Sequence, residues 1–364
     1  MKEYDILKQF DIAGEPAACK QLTCGNINRT FRIDLRQADG SITRCILQNV
    51  NVNVFKKPYE LMQNICGVCA HLKEKVAAAG GDPLRETMTF ADTADHTHLY
   101  LDEEGFYWRV YTFIEANSYQ SADKPGLFYK AAKAFGKFQR QLADYPAETL
   151  YETIPGFHNT VSRFAAFQQA IADCKLPERL KEASAEIDAI LSRESLAHVA
   201  VDAIADGSMP LRVTHNDTKL NNILMDPETD EGLCVIDLDT VMPGSVLYDF
   251  GDAIRFGAST AAEDEPDVSK IALDLDKFAE FAEGFLAGTD GALTEKELSL
   301  LPEGAMLLTY EQAMRFLTDY LNGDTYFKIN YPEHNIVRTR AQLALLFDME
   351  AKRDGMHEII NKQK

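Results

Sequence analysis

Leu211-Arg-Val-Thr-His215-Asn216-Asp217-Thr218-Lys219-Leu220-Asn221-Asn222-Ile-Leu-Met225, followed by Val235-Ile236-Asp237-Leu238-Asp239, is the stretch on which the reading of this chain turns. Two runs of β-branched or apolar residues flank a polar loop that carries Asp217 and, five positions on, Asn222. A second strand-like run then delivers Asp237. Phosphoryl transfer from a nucleotide asks for these groups. A carboxylate orients the attacking hydroxyl, while an amide oxygen and a second carboxylate hold Mg²⁺ against the phosphate oxygens.

Taken alone, Asp217 would more commonly be a helix N-cap ahead of Leu220. Its company changes that reading, because His215, Asp217 and Asn222 follow the pattern His-x-Asp-x4-Asn between two strands. Asp217 is therefore the candidate catalytic base. Asn222 and Asp237 are the candidate metal ligands, since a carboxylate ending a buried strand is costly unless a cation meets it. Asp239 either braces that ligand or is simply solvated. His215 is expected to brace the loop, because in this pattern the Asp receives the substrate proton.

With 364 residues the chain is long for one domain and sufficient for two lobes. Its formal net charge of −20 is spread along the sequence, which argues against nucleic acid or an anionic membrane as partner. A single phosphate site, needing only local donors and a metal, remains compatible with it. The first ten residues mix charges with apolar side chains, unlike a signal or an anchor, and no run is long enough to span a bilayer. Seven irregularly spaced cysteines fit a reducing compartment, and a cytoplasmic location is expected.

Working outward, Arg29–Leu35 and Thr43–Gln48 read as strands around a turn at Asp39-Gly40, and residues 58 to 79 as a helix opened by Pro58. Thr97–Leu101 and Phe106–Ile114 read as a second hairpin. Beyond Glu115 helical periodicity dominates, over 125–144, 160–174, 177–192, 268–287, 294–322 and 338–353, with a capping box at Thr294-Glu-Lys-Glu297. An α+β chain is expected. A small antiparallel-sheet lobe for the nucleotide would occupy residues 1–115, and a larger, mainly helical lobe with the catalytic loop would occupy 116–364.

The combination His215-Asn216-Asp217-x4-Asn222, then Ile236-Asp237-x6-Gly244-x4-Asp249-Phe250, resembles the aminoglycoside phosphotransferase and choline kinase superfamily. Longer phrases, Val213–Met225, Tyr248–Asp252, Ile254–Thr260 and Tyr331–Arg340, resemble its N-acetylhexosamine 1-kinase family. The resemblance implies a two-lobed, protein-kinase-like fold and transfer of a phosphoryl group from ATP, with Mg²⁺, to the C1 hydroxyl of an N-acetylhexosamine. It implies Asp217 as base, Asn222 and Asp237 on the metal, and sugar contacts from Asp237, Thr240, Arg315 and Tyr326. Gly25 and Asn28, in Gly25-Asn-Ile-Asn28, fall where a phosphate-covering loop would lie. Without the family, Arg315 in an apolar helical stretch is either snorkelling or paired in a cleft, and Tyr326 is core or surface packing.

Two departures accompany the resemblance. The loop at Gly25 has one glycine and no repeated pattern, and Asn26 stands where a relative has His. The strand expected to supply a nucleotide-binding Lys offers Gln48 instead. Other readings therefore stay open: a related kinase for another sugar, an aminoglycoside or a choline-like amine, and a non-catalytic nucleotide-binding module. Cys66-Gly-Val-Cys69 lies within a helical period and reads as core, and His96-Thr-His98 as a solvated hairpin tip. Glu60 lacks the Lys it would pair with.

Overall fold

The computed structural model of the chain describes residues 2–22 and 27–363. Gly25 and Asn26 of the expected phosphate loop lie outside the described residues. In chain order the elements are α1 (Lys2–Leu7), β1 (Glu15–Leu22), β2 (Arg29–Arg36), β3 (Ile42–Val50), α2 (Pro58–Ala78), α3 (Pro83–Glu86), β4 (Tyr100–Leu101), β5 (Tyr107–Thr112), α4 (Leu127–Gln141), α5 (Thr160–Asp173), α6 (Pro177–Glu182), α7 (Ser184–Leu191), α8 (Glu194–Ala205) and β6 (Arg212–Thr214). There follow β7 (Ile223–Met225), β8 (Gly232–Val235), β9 (Met242–Gly244), α9 (Val246–Gly257), α10 (Leu275–Thr289), α11 (Glu295–Leu321), α12 (His334–Ala351) and α13 (Arg353–Lys362).

Contacts divide the chain into two compact units that are not single stretches of sequence. The first holds residues 1–118, 144–155 and 223–242, and the second holds 119–143, 156–222 and 243–364. Where the sequence suggests one cut near residue 115, the chain instead returns twice to the first unit.

The first unit is built on an antiparallel sheet with strand order β1-β2-β3-β5-β4. Alternation decides its faces. Phe31, Ile33, Leu35, Cys45, Leu47, Trp108 and Val110 point to one side, where Ile6, Leu7 and Phe10 close the core. The intervening residues Gln48 and Arg109, which are partners in the β3–β5 register, therefore share the other side. There Arg109 meets Met62 of α2. The buried stripe of α2, from Leu61 through Ile65, Val68 and Leu72 to Val76, follows the three- and four-residue spacing that Pro58 opens. Cys66 and Cys69 lie on this helix as free thiols, and burial pushes the Cys66 thiol up to about 11.

The second unit is mainly helical, around the long helix α11, whose capping box at Thr294 and Glu297 forms as expected. Its neighbour α9 is buried from Val246 to Arg255. The two approach closely, because a Cβ at Gly251 would overlap the carbonyl oxygen of Gly304. The expected single helix over 177–192 is two, α6 and α7, breaking at Ala183. The start expected at 268 is a short 3-10 turn, and α10 begins only at Leu275 behind the N-cap Asp274. The hairpin strand expected over 97–101 shrinks to Tyr100–Leu101.

Candidate active site

Strand β6 is wholly buried and ends at Thr214, so the polar loop after it emerges from the core of the second unit. Asp249, buried on α9, holds that loop: its two carboxylate oxygens accept the backbone N–H of His215 (3.0 Å) and of Asn216 (2.7 Å). Gln139 donates to the same carboxylate at 2.6 Å. Burial raises the Asp249 carboxyl above its ordinary pKa, against these N–H donors and His215. One turn on, Asp252 accepts from Thr218 N at 3.1 Å, and the Thr218 hydroxyl donates to the carbonyl of Asp249 at 2.6 Å. Two carboxylates on one face of α9 thus fix the backbone on either side of Asp217.

His215 is fully buried between the rings of Phe135 and Phe138, and its Nδ1 accepts the backbone N–H of Asp217 at 3.3 Å. That is the bracing role the sequence suggests. Asn216 takes φ = +64°, a left-handed conformation that Asn tolerates better than most residues, and this turns the chain so that Asp217 follows it partly exposed. The side-chain nitrogen of Asn222 donates to the Asp217 carbonyl (2.8 Å) and to Asp217 Oδ2 (3.1 Å). This commits the nitrogen and leaves the amide oxygen as the end of Asn222 suited to a cation. Lys219 Nζ lies 2.6 Å from Asp217 Oδ1. Burial works against the Lys219 charge, yet Asp217 and Asp252 hold its pKa above the ordinary value. The pattern His-x-Asp-x4-Asn does not mark Lys219, although its spacing Asp217-x-Lys219 inside the loop is a signal for this contact.

In the first unit Asp237 is exposed with φ = +60°, heading the turn Leu238–Thr240. Asp239 is buried rather than solvated: its Oδ1 lies 2.6 Å from Arg109 Nη2, and its Oδ2 accepts from Asn28 Nδ2 at 2.6 Å. Asn28 Oδ1 in turn accepts from Asn51 N at 2.9 Å. Thr240 is buried beside them in sequence. Among the described residues no three His, Cys, Asp or Glu side chains converge as a metal site. The amide oxygen of Asn222 and the carboxylate of Asp237 are hard oxygen donors of the kind Mg²⁺ takes.

Arg315 and Tyr326 are both in the second unit and share a neighbourhood around Phe327. The Arg315 guanidinium stands 5.5 Å from the Phe327 ring and 5.7 Å from Phe157, and the Tyr326 ring meets Phe327 edge-on at 4.8 Å. Arg315 is paired, not snorkelling: Glu311, one turn back on α11, lies at 3.8 Å. Glu311 is fully buried and also meets His158 Nδ1 (3.0 Å) and Arg163 Nε (3.3 Å). Burial alone would raise its pKa, but His158, Arg163 and Arg315 hold the carboxyl down to about 2. Tyr326 is not core packing. It is 70% exposed, on a loop whose backbone N–H groups at Thr325, Tyr326 and Phe327 all donate to buried Asp319.

Residues 85–288, more than half of the chain, match the phosphotransferase enzyme family, and the chain belongs to that family. Solved structures similar to nearly its whole length share the fold. One is a spectinomycin phosphotransferase in complex with ADP and spectinomycin (TM-score 0.56, 14% identity, 96% of this chain and 98% of that one). A second is an amicoumacin kinase in complex with AMP-PNP, Ca²⁺ and Ami (TM-score 0.57, 13% identity, 96% and 97%). A third is a choline kinase from Cryptosporidium parvum Iowa II (TM-score 0.54, 12% identity, 98% and 96%). The fold is protein-kinase-like, and the family is that of the phosphotransferase enzymes. No helix among the described residues is long and apolar enough to cross a membrane.

Proposed function

We propose that this phosphotransferase uses ATP and Mg²⁺ to phosphorylate the C1 hydroxyl of an N-acetylhexosamine. The observation that carries the choice of a sugar over an amine is the charge around Arg315. Two guanidinium groups, Arg163 and Arg315, face one buried carboxylate, Glu311, so these three side chains carry a net positive charge, while the nearby Asp319 carboxylate is occupied by backbone N–H groups. Such a cluster repels an aminoglycoside or choline-like cation and offers N–H donors to hydroxyl and carbonyl oxygens. The exposed ring of Tyr326, on a backbone fixed by Asp319, adds a flat face for a pyranose. Asp237 and Thr240 are proposed as further sugar contacts, and Gly25 and Asn28 as nucleotide contacts.

In this reading the C1 oxygen attacks the γ-phosphorus, the bond from that phosphorus to the bridging oxygen of ADP breaks, and the hydroxyl proton passes to Asp217. An anomeric hydroxyl is more acidic than an ordinary alcohol, so Asp217 acts by hydrogen bonding and late proton acceptance. His215 and Asn222 hold Asp217 by its backbone N–H, its carbonyl and its carboxylate. Lys219 places a positive charge beside Asp217 Oδ1, while Asn222 occupies Oδ2. Asn222 and Asp237 are the proposed ligands of Mg²⁺, which when bound would supply charge neutralisation at the phosphate oxygens.

Phosphorus NMR of the protein with ATP, Mg²⁺ and N-acetylglucosamine tests this directly. The expected result is a new phosphate signal coupled to the anomeric proton. In Asp217→Asn, turnover falls by roughly 10²–10⁴-fold while the fold is kept. A faster initial rate on kanamycin or choline than on N-acetylglucosamine would overturn the acceptor, and near-normal turnover by the variant would overturn the base.

A further inference from the structure

Resting on the proposal that this chain binds a nucleotide, the first unit poses a question of charge. A nucleoside triphosphate and its metal call for a fixed cation nearby, and β3 carries neutral Gln48 where the superfamily resemblance leads one to expect Lys. The residue facing Gln48 across the strand pair is Arg109. Its Nε and Nη2 both donate to Gln48 Oε1, at 2.9 and 2.5 Å, and Gln48 Nε2 donates on to Thr30. The guanidinium is 3% exposed and stands 5.8 Å from the Phe90 ring.

A buried ion pair is a poor way to gain stability, because an apolar pair of similar volume often does as well. What sets this one apart is where it ends. Arg109 Nη2 meets Asp239, two residues after the proposed metal ligand Asp237, and the other oxygen of Asp239 holds Asn28, in the stretch expected to cover the phosphates. Burial opposes the Arg109 charge, while Asp239 foremost, then Tyr111 and Asp237, favour it.

We propose that Arg109 is the positioning cation of the nucleotide site: the charge absent from β3 at Gln48 has moved to the facing residue of β5, where it holds Asp239 and thereby fixes both Asn28 and the turn that carries Asp237. Arg109 does this through Asp239 and is not itself a catalytic residue. The fork of the guanidinium matters, since it engages Gln48 and Asp239 together, which an ammonium does less well.

The test exchanges the charge between the two strands in the full-length protein. Binding of ATP·Mg²⁺ is measured by calorimetry without acceptor, alongside KM for ATP and for the sugar, with circular dichroism to establish folding. Arg109→Met is expected to weaken ATP·Mg²⁺ binding by roughly tenfold or more, and to raise the acceptor KM by less, since Asp237 and Thr240 of the same turn are proposed sugar contacts. The double variant Gln48→Lys/Arg109→Met, which returns a cation to β3, recovers most of the loss; a purely structural role predicts no such rescue. Should Arg109→Met fail to fold, Arg109→Lys carries the same comparison, with a smaller loss expected. Wild-type affinity in a folded Arg109 variant, or a folded double variant without recovery, overturns the inference. Absence of ATP·Mg²⁺ binding by the wild-type protein would instead overturn the nucleotide assignment on which the inference rests.

Discussion

Glu311 shows what a single side chain decides here. Its carboxylate is buried, yet three basic groups hold it ionised down to about pH 2. Because the folded pKa lies below the unfolded value of about 4.5, the pairing contributes stability above that value, on the order of 3 kcal/mol, and loses it as pH falls toward 2. Urea unfolding of the wild type and Glu311→Gln between pH 2.5 and 7 should give a difference that is flat above about pH 5 and shrinks below it. A difference independent of pH would mean that the carboxylate charge is not what the three basic groups stabilise. None of this is legible from the sequence, since His158 and Glu311 stand 153 positions apart. The contact of Asn222 with Asp217 is legible because both lie within one short loop, whereas Asp249, which fixes that loop, belongs to a distant helix.

At the scale of elements, legibility follows amphipathicity. Helices α2, α4, α5 and α11 emerge close to their expected bounds because caps, a first-turn proline or an apolar stripe mark them. Helix α9 carries such a stripe as well, with Val246, Leu247, Phe250 and Ile254 at helical spacing, but Gly251 at its centre argues against a helix from the sequence alone. The edge strand β1, largely exposed, lacks a hydrophobic pattern. The placement of α9 depends on its contact with α11 at Gly251, where the Gly304 carbonyl leaves no room for a methyl group. Gly251→Ala must push the helices apart, at a cost of about 1–3 kcal/mol, and shift Asp249 and Asp252 beneath the catalytic loop. A lower denaturation midpoint together with reduced kcat is expected, and an unchanged midpoint would show that the helices can part freely.

At the scale of the whole chain, the charge of −20 is the dominant electrostatic fact. Self-repulsion of this size destabilises the compact state and is screened once the Debye length falls to about 10 Å near 0.1 M salt. Raising NaCl from about 20 to about 200 mM is therefore expected to increase Tm by roughly 2 °C or more, as read by differential scanning calorimetry. A fall in Tm would mean that the ion pairs, such as Arg255 with Asp252 and Glu263, outweigh the repulsion. The α+β class was legible at this scale from strand-rich and helix-rich halves. The two later returns of the chain to the first unit were not, because short strands such as β7 and β8 carry little pattern of their own.

The pairing of Arg109 with Asp239 also orders events during synthesis. Strands β2, β3 and β5 are complete long before residue 239 is made, an interval on the order of ten seconds at the usual pace of translation. Through that time the growing sheet holds a guanidinium whose counter-ion does not yet exist. Until then Arg109 has Gln48 and water to face, and a chain cut after residue 118 would keep the charge and never receive its partner.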